Sequence, residues 1–237
     1  MASIKSGWVI SGLLSTVLMC AGCTTARIEF ARRAETVIHA PETVAILVSA
    51  ESPLEIDAVR CISESIRDAR PDVCIMTLDE FRHSVFYYGY PENQDENNQY
   101  FTLLANEPVL KERILELGLR YIVSIHGGTE QQGKPLFGAI AGQGAALTWF
   151  GMAWTRQSQL EASIFDLQQV VDAGTIRSFA EGRPWFLCVG IGPICAPIGA
   201  AAFTESTACK GLGEAVATFL TGGALPESGK SINQSTE

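Results

Sequence analysis

The run Thr43-Val44-Ala45-Ile46-Leu47-Val48-Ser49 constrains the fold most, because it is apolar at odd and even positions alike. A strand of that kind has two faces to bury and belongs in the middle of a sheet covered on both sides. Ser52-Pro53-Leu54-Glu55 then supplies an N-cap serine, a proline at the first helical position and a glutamate three residues after the cap. The helix behind it carries Ile56, Val59, Ser63, Ile66 and Arg70 on one stripe, with Ile62 and Ala69 beside it, and must stop before Pro71. A second strand is expected at Val73 to Met76 and a short helix at Asp79 to Phe86. Asn106-Glu107-Pro108 opens another helix, with Val109 or Leu110, Ile114 and Leu117 inward and Gly118 at its end.

Beyond that helix Leu119, Tyr121, Val123 and Ile125 alternate with Arg120, Ser124 and His126, as in a strand with one greasier face. Gly127 to Gly151 is rich in glycine. Leu160, Ala162 and Ile164 then alternate with Gln159, Glu161 and Ser163, whereas Phe165 and Leu167 switch parity. A bulge or strand end near Ile164 accounts for that switch. Asp166 to Gly174 reads as a turn and Thr175 to Glu181 as the returning strand. Pro184 to Phe203 is apolar but broken by Gly190, Gly192, Pro193, Pro197 and Gly199, so a loop lying on the domain is expected there. Thr204 is placed to cap the last helix, whose Ala208, Leu212, Ala215, Val216, Phe219 and Leu220 share a stripe before Gly222-Gly223.

This order gives an α/β fold with α+β character: a mixed β-sheet covered by helices, with early βαβ-type units, an antiparallel meander and a closing C-terminal helix. A length of 237 residues with 47% hydrophobic content is enough for one sizeable core. The expected divisions are a signal peptide at 1–22, a tether at 23–41, a single α/β domain at 42–223 and a disordered tail at 224–237.

At the N-terminus, Trp8 to Met19 is a run of about a dozen mostly apolar residues, short of the ~20 a transmembrane helix needs and matching the core of a secretory signal. Val17-Leu18-Met19-Cys20-Ala21-Gly22-Cys23-Thr24 ends it with small residues before a cysteine. That stretch resembles the lipobox of bacterial lipoproteins, departing from it at Cys20, where the family has Leu. The resemblance implies a mature chain that starts at an acylated Cys23, carrying palmitate-like chains. Because Thr24 is not Asp, it also implies the periplasmic face of the outer membrane, with the inner membrane as the alternative. The formal net charge is -9, and residues 1–22 carry only Lys5, so the mature form stands at -10. Such a surface repels phosphates and anionic headgroups, so no nucleic-acid or nucleotide partner is expected and membrane attachment falls to the lipid.

Three stretches carry a second likeness: the strand Thr43 to Ser49, the passage Leu117-Gly118-Leu119-Arg120-Tyr121-Ile122-Val123, and Ile164-Phe165-Asp166-Leu167 before a turn. Together they resemble a group of envelope α/β domains that includes the TolB N-terminal domain, the periplasmic part of the curli-secretion lipoprotein and small outer-membrane lipoproteins that regulate wall synthases. The resemblance covers roughly Glu42 to Gly222 and brings no catalytic motif with it. It implies a noncatalytic, membrane-anchored lipoprotein that docks an envelope protein or helps assemble an envelope machine. The alternative is an envelope hydrolase acting on wall or lipid through a site that no motif reveals. A pore subunit would need two alternating strands of ~9–11 residues facing lipid, and Leu147 to Trp154, apolar on both parities, does not supply them.

Sharper chemistry is argued down residue by residue, and no cofactor or metal is expected. Gly128-Thr129-Glu130-Gln131-Gln132-Gly133-Lys134 fits a phosphate-cradling loop only as far as its lysine; Pro135 stands where a hydroxyl must hold magnesium. His126-Gly127-Gly128 resembles the oxyanion turn of lipases, but no G-x-S-x-G elbow exists. His39, His83 and His126 have no metal-ligand spacing, and Asp79-Glu80 and Asp95-Glu96 read as capping or solvated charge. With Cys20 and Cys23 set aside, Cys61, Cys74, Cys188, Cys195 and Cys209 remain, an odd set in an oxidising compartment. Cys188 with Cys195 and Cys61 with Cys209 are the candidate disulfides. Phe86, Tyr87, Tyr88 and Tyr90 cluster in the polar loop to Tyr100 and are the candidate partner-binding residues, with covering of the sheet end as the alternative.

Overall fold

The computed structural model describes residues 24–48, 56–85, 106–142, 145–191, 194–223 and 232–234. At its centre is β2 (Thr43–Val48), flanked by β3 (Cys74–Met76) and β4 (Leu119–Gly142), both parallel to it. Helix α1 (Ile56–Ala69) makes the first crossover, and α2 (Leu78–Val85) and α3 (Pro108–Glu116) lie in the second. The double-faced apolar pattern of β2 is used as such. Val44 and Ile46 enter one core with Ile62 and Ile66 of α1, while Ala45 and Leu47 enter the other with Phe81, Val85 and Ile114 of α2 and α3. Burying an aliphatic side chain of this size stabilises by ~1.5–3 kcal/mol, which is why no edge position suits this strand.

The rest of the sheet is antiparallel. From β4 it continues through β5 (Ala145–Asp166), β6 (Val171–Gly182), β1 (Thr24–Arg32) and β9 (Ile232–Gln234), with β7 (Trp185–Ile191) and β8 (Ile194–Ala200) attached to β5. Nine strands thus form a mixed sheet among the described residues. The closing helix α4 (Thr204–Leu220) lies beside α1, and every residue of its predicted stripe is buried. Along β5 ordinary alternation places Leu160, Ala162 and Ile164 against α1 and α4 and Phe165 with Phe81 on the other side, and the pairing with β6 shifts register at Ile164/Phe165, passing over Ala173. A shift at Thr43/Val44 passes over Arg120 of β4 and puts Leu119 and Tyr121 in different cores.

Several expectations need correction. The stretch 23–41 is no tether over its described part: β1 pairs with β6 along its whole length, with Ala26 and Ile28 buried. The chain after β1 then closes the C-terminal end of α4. Arg32 donates to the carbonyls of Phe219 (3.0 Å) and Gly223 (3.3 Å), the Thr36 hydroxyl donates to Phe219, and the Ile38 N–H donates to Leu220 at 2.9 Å. These are carbonyls that a helix end leaves without intrahelical partners. Within the expected tail, Ile232–Gln234 pairs with Thr24–Ala26 as β9. Within the expected loop at Pro184 to Phe203, Trp185–Ile191 and Ile194–Ala200 pair as two short strands, with Gly190, Pro197 and Gly199 inside them and the pairing continuing around them.

At the helices the differences are smaller. On α1, Ser63 and Ile66 of the expected stripe are buried, together with Ile62 beside it and Ala58, while Val59 is only partly buried. Val109 of α3 is 72% exposed, leaving Leu110, Ile114 and Leu117 inward. Gly118 ends that helix at φ 62°, as glycine does readily. Thr204 is not a cap: the cap position is Phe203, and the Thr204 hydroxyl is fully buried and accepts from Ser158 at 3.0 Å. The Ser52 capping box and the aromatic cluster Phe86, Tyr87, Tyr88 and Tyr90 lie outside the described residues.

Candidate functional site at the arm end of the sheet

The long strands β4 and β5 pair without interruption from Tyr121↔Asp166 to Gly142↔Ala145, and among the described residues it is the end near Tyr121 and Asp166 that packs against helices. On the far side of β5, β6 lies on Arg156–Asp166 and β7 on Leu147–Ala153. Arg183 and Pro184 alone separate β6 from β7, so those two run on end to end. Beyond this waist the sheet becomes a four-stranded arm in the order β4-β5-β7-β8. Neither β4 nor β8 has a further partner along the arm among the described residues.

The N-terminal end of β1 sits at the waist. Thr24 is opposite Gly182, and the side chains of Thr24, Ala202 and Thr204 converge there. A Cβ on Gly182 would meet Ala202 Cβ at 2.6 Å, Thr204 Cγ2 at 3.0 Å and Thr24 Oγ1 at 3.3 Å. Cys23 therefore precedes, by one residue, a position fixed beside the base of the arm. Trp154, Trp185 and Phe186 mark the same level, around an open cleft of about 450 Å³ that Gln131, Arg156 and Pro184 also line. None of the cleft's side chains can act as a nucleophile or as an acid or base at neutral pH.

Polar groups elsewhere tie elements together. Arg120 reaches Glu42 (3.1 Å) and Asp166 (3.2 Å), and Asp166, 1% exposed, accepts from the N–H groups of Gln168 and Gln169 at 2.9 Å each. This charge-assisted cluster fixes the starts of β2 and β4 to the turn after β5. The Tyr121 hydroxyl beside it accepts from the Val37 N–H at 3.2 Å, and burial pushes its pKa up. Thr129, Ser158 and Thr204 form a hydroxyl chain with links of 2.9 and 3.0 Å, joining the waist to α4.

The sequence-level candidates fall as follows. Gly128 to Lys134 is extended strand within β4, so its backbone N–H groups are spent on β5 and cannot cradle a phosphate. His126 contacts Ser124 at 3.3 Å, and His83 Nδ1 contacts the Asp79 carbonyl at 2.7 Å. Among the described residues no three His, Cys, Asp or Glu side chains come together as a metal set. Cys61 and Cys209 are joined in a disulfide between α1 and α4, Cα–Cα 6.0 Å. Cys188 is also disulfide-bonded, and the side chain of Cys195 is outside those described. Cys74 is exposed and free. Sequence reasoning missed β1, although Ala26, Ile28 and Phe30 alternate with Arg27 and Glu29, and missed the arm, whose signal was its lack of charge.

No family model matches the chain, and no curated protein does. Among solved structures it is similar to two PelC dodecamers from Paraburkholderia phytofirmans, one of them a variant. These are 12% and 11% identical, with 83% and 84% of this chain and 99% of each of those covered, both at a TM-score of 0.31. It is similar also to lipoprotein GNA1162 from Neisseria meningitidis, 10% identical over 60% of this chain and 84% of that one, TM-score 0.31.

Proposed function

We propose that this chain is a noncatalytic accessory protein of the bacterial envelope, anchored by lipid on Cys23 and presenting its α/β domain for docking or assembly of another envelope protein. The observation that carries the proposal is the junction at Thr24. The lipobox-like stretch ends at Cys23, and the very next residue enters the sheet in register with Gly182. An acylated Cys23 with no free linker would hold one end of the domain against the bilayer and aim the opposite end into the periplasm. No described helix is long and apolar enough to cross a membrane. The titratable groups of the body serve as ties between elements, which is why we assign it no reaction. Thr24 in place of Asp favours the outer membrane as its address. Phe86, Tyr87, Tyr88 and Tyr90 are the residues we assign to the partner, on the grounds that Tyr offers large contact area with few rotors to freeze.

The test is Cys23→Ser in cells fed labelled fatty acid. Label in the wild-type protein and none in the variant, together with an unprocessed precursor, is expected. Label that persists in the variant removes the anchor.

A further inference from the structure

The sheet face that α4 covers continues past the start of that helix. Leu160, Ala162 and Ile164 share a core with α4, the Ser158 hydroxyl reaches Thr204 in its first turn, and Arg156 and Trp154 follow in the same alternation. There the helix stops and the cleft of about 450 Å³ begins, lined by Trp154, Trp185 and Phe186 and by the small residues 199–202. Sites for small ligands run from ~300 to 1,000 Å³ and are walled in the same way, by apolar and aromatic side chains with a few polar groups.

Charge and hydrogen bonding narrow what enters. Arg156 is the one charged side chain of the lining, and Glu205 holds it at 3.1 Å. The cleft thus offers no free cation to an anion and no carboxylate of its own to a cation. Its occupant is neutral and apolar over most of its length. Trp185 Nε1 is buried and has no hydrogen-bond partner, whereas buried donors are nearly always satisfied. A hydrocarbon body that carries an acceptor meets both conditions, and an acyl chain with its carbonyl oxygen is such a body.

The path of the chain says where that acyl group comes from. The Cβ that Gly182 lacks would lie 2.6 Å from Ala202 Cβ and 3.3 Å from Thr24 Oγ1, so the Thr24 side chain is a neighbour of the cleft wall. Cys23 is the residue before Thr24. A chain carried there starts one residue from the cleft, and so short a connection raises its effective concentration at the cleft to the order of mM.

We propose that the cleft is an acyl-chain site and takes one of the chains carried by Cys23, whose carbonyl oxygen supplies the acceptor that Trp185 Nε1–H lacks; this rests on the lipidation proposed above. The other chains stay free for the bilayer. The docked one ties the base of the domain to its own anchor and removes hydrocarbon from water wherever the protein is outside a membrane.

The experiment feeds cells palmitate with a terminal diazirine, purifies the mature lipidated protein in detergent, irradiates it and reads the crosslinked residues by mass spectrometry. Adducts are expected at Trp154, within 184–186 or within 199–202. Label on Cys23 with adducts to detergent alone overturns the docking and leaves the anchor intact. No label on Cys23 removes the anchor, and this occupant with it. Ala201 is an exposed member of the lining outside the strands, so Ala201→Trp fills the cleft without disturbing the sheet. It should abolish the adducts at unchanged labelling of Cys23, and adducts that persist in it overturn the cleft as the site.

Discussion

Replacing Gly213 with alanine should destabilise the protein, although alanine is the better helix former. Gly213 lies in α4 where that helix runs closest to α1. One turn earlier Cys209 is joined to Cys61, and Gly213 faces Ser65, one turn after Cys61. An added Cβ would lie 2.5 Å from Ser65 Cβ and 2.9 Å from the Ile62 carbonyl oxygen. Carbon atoms approach comfortably to only ~3.5–4 Å, so the helices must part by about an ångström beside a covalent link that resists it. Overpacking of this kind costs ~1–3 kcal/mol, against a propensity gain of ~1 kcal/mol. Because one obstacle is α1 backbone, which has no rotamer to change, we place the cost in the upper half and the net loss at about 1–2 kcal/mol. Gly211→Ala is the internal control. Its Cβ would meet Ser178 Oγ at 3.4 Å and Ile28 Cδ1 at 3.6 Å, ordinary contacts, so the propensity term should survive as a gain of about 0.5–1 kcal/mol. Urea unfolding of both variants at constant slope, under oxidising conditions, reads the difference directly. Equal signs for the two would refute the close approach of α1 and α4.

Removing the Cys61–Cys209 disulfide by Cys61→Ala with Cys209→Ala should cost about 2–5 kcal/mol, since its partners are 148 positions apart and long loops gain most from closure; unchanged thermal unfolding would speak against the link. The start of α2 is a capping box. The Thr77 N–H donates to Glu80 Oε2 at 2.8 Å, and the Glu80 N–H approaches Thr77 Oγ1 at 3.4 Å. These backbone and side-chain bonds from Thr77 hold the Glu80 carboxyl below the ordinary carboxylate range. A depressed folded-state pKa contributes stability above the unfolded value of ~4.3, and that contribution is lost as pH falls through the folded value. Glu80→Gln should accordingly narrow its stability gap to wild type below about pH 4, and a gap independent of pH would exclude the assignment.

The sequence made the centre and the closing helix legible because their burial patterns are unconditional. Thr43 to Ser49 is apolar at every parity, and Ala208 to Leu220 repeats at helical spacing. The change of apolar parity between Ile164 and Phe165 suggests a bulge, and the pairing does shift register there, but the parity change itself follows from alternation between two cores. What failed was inference from residue type at places where pairing decides. Arg27, Glu29 and Arg32 made β1 look like linker, yet strand position lets Arg27 pair with Glu29 at the surface while Ala26 and Ile28 turn inward. Thr204 has the side chain of a cap, and only the fold brings Ser158 to claim it. Gly and Pro in 184–203 argued for a loop because a lone sequence does not show that each strand there is short enough to pair around them. The Thr77 box was visible as T-x-x-E ahead of Phe81 and needed no structure.

The strand β1 imposes an order in time. It is the first of the described segments along the chain, and its partner, 174–182, follows only after four strands and three helices among the described residues. Until that partner is made β1 cannot take its place in the sheet. Once β6 docks, the same segment is locked into the sheet. Long-range pairing of this kind folds slowly, because loop closure must precede any contact that rewards it. The protein thus carries a delay in its own topology, and under the anchoring proposed above a modification at Cys23 would be completed on an open chain before folding seals that end in place.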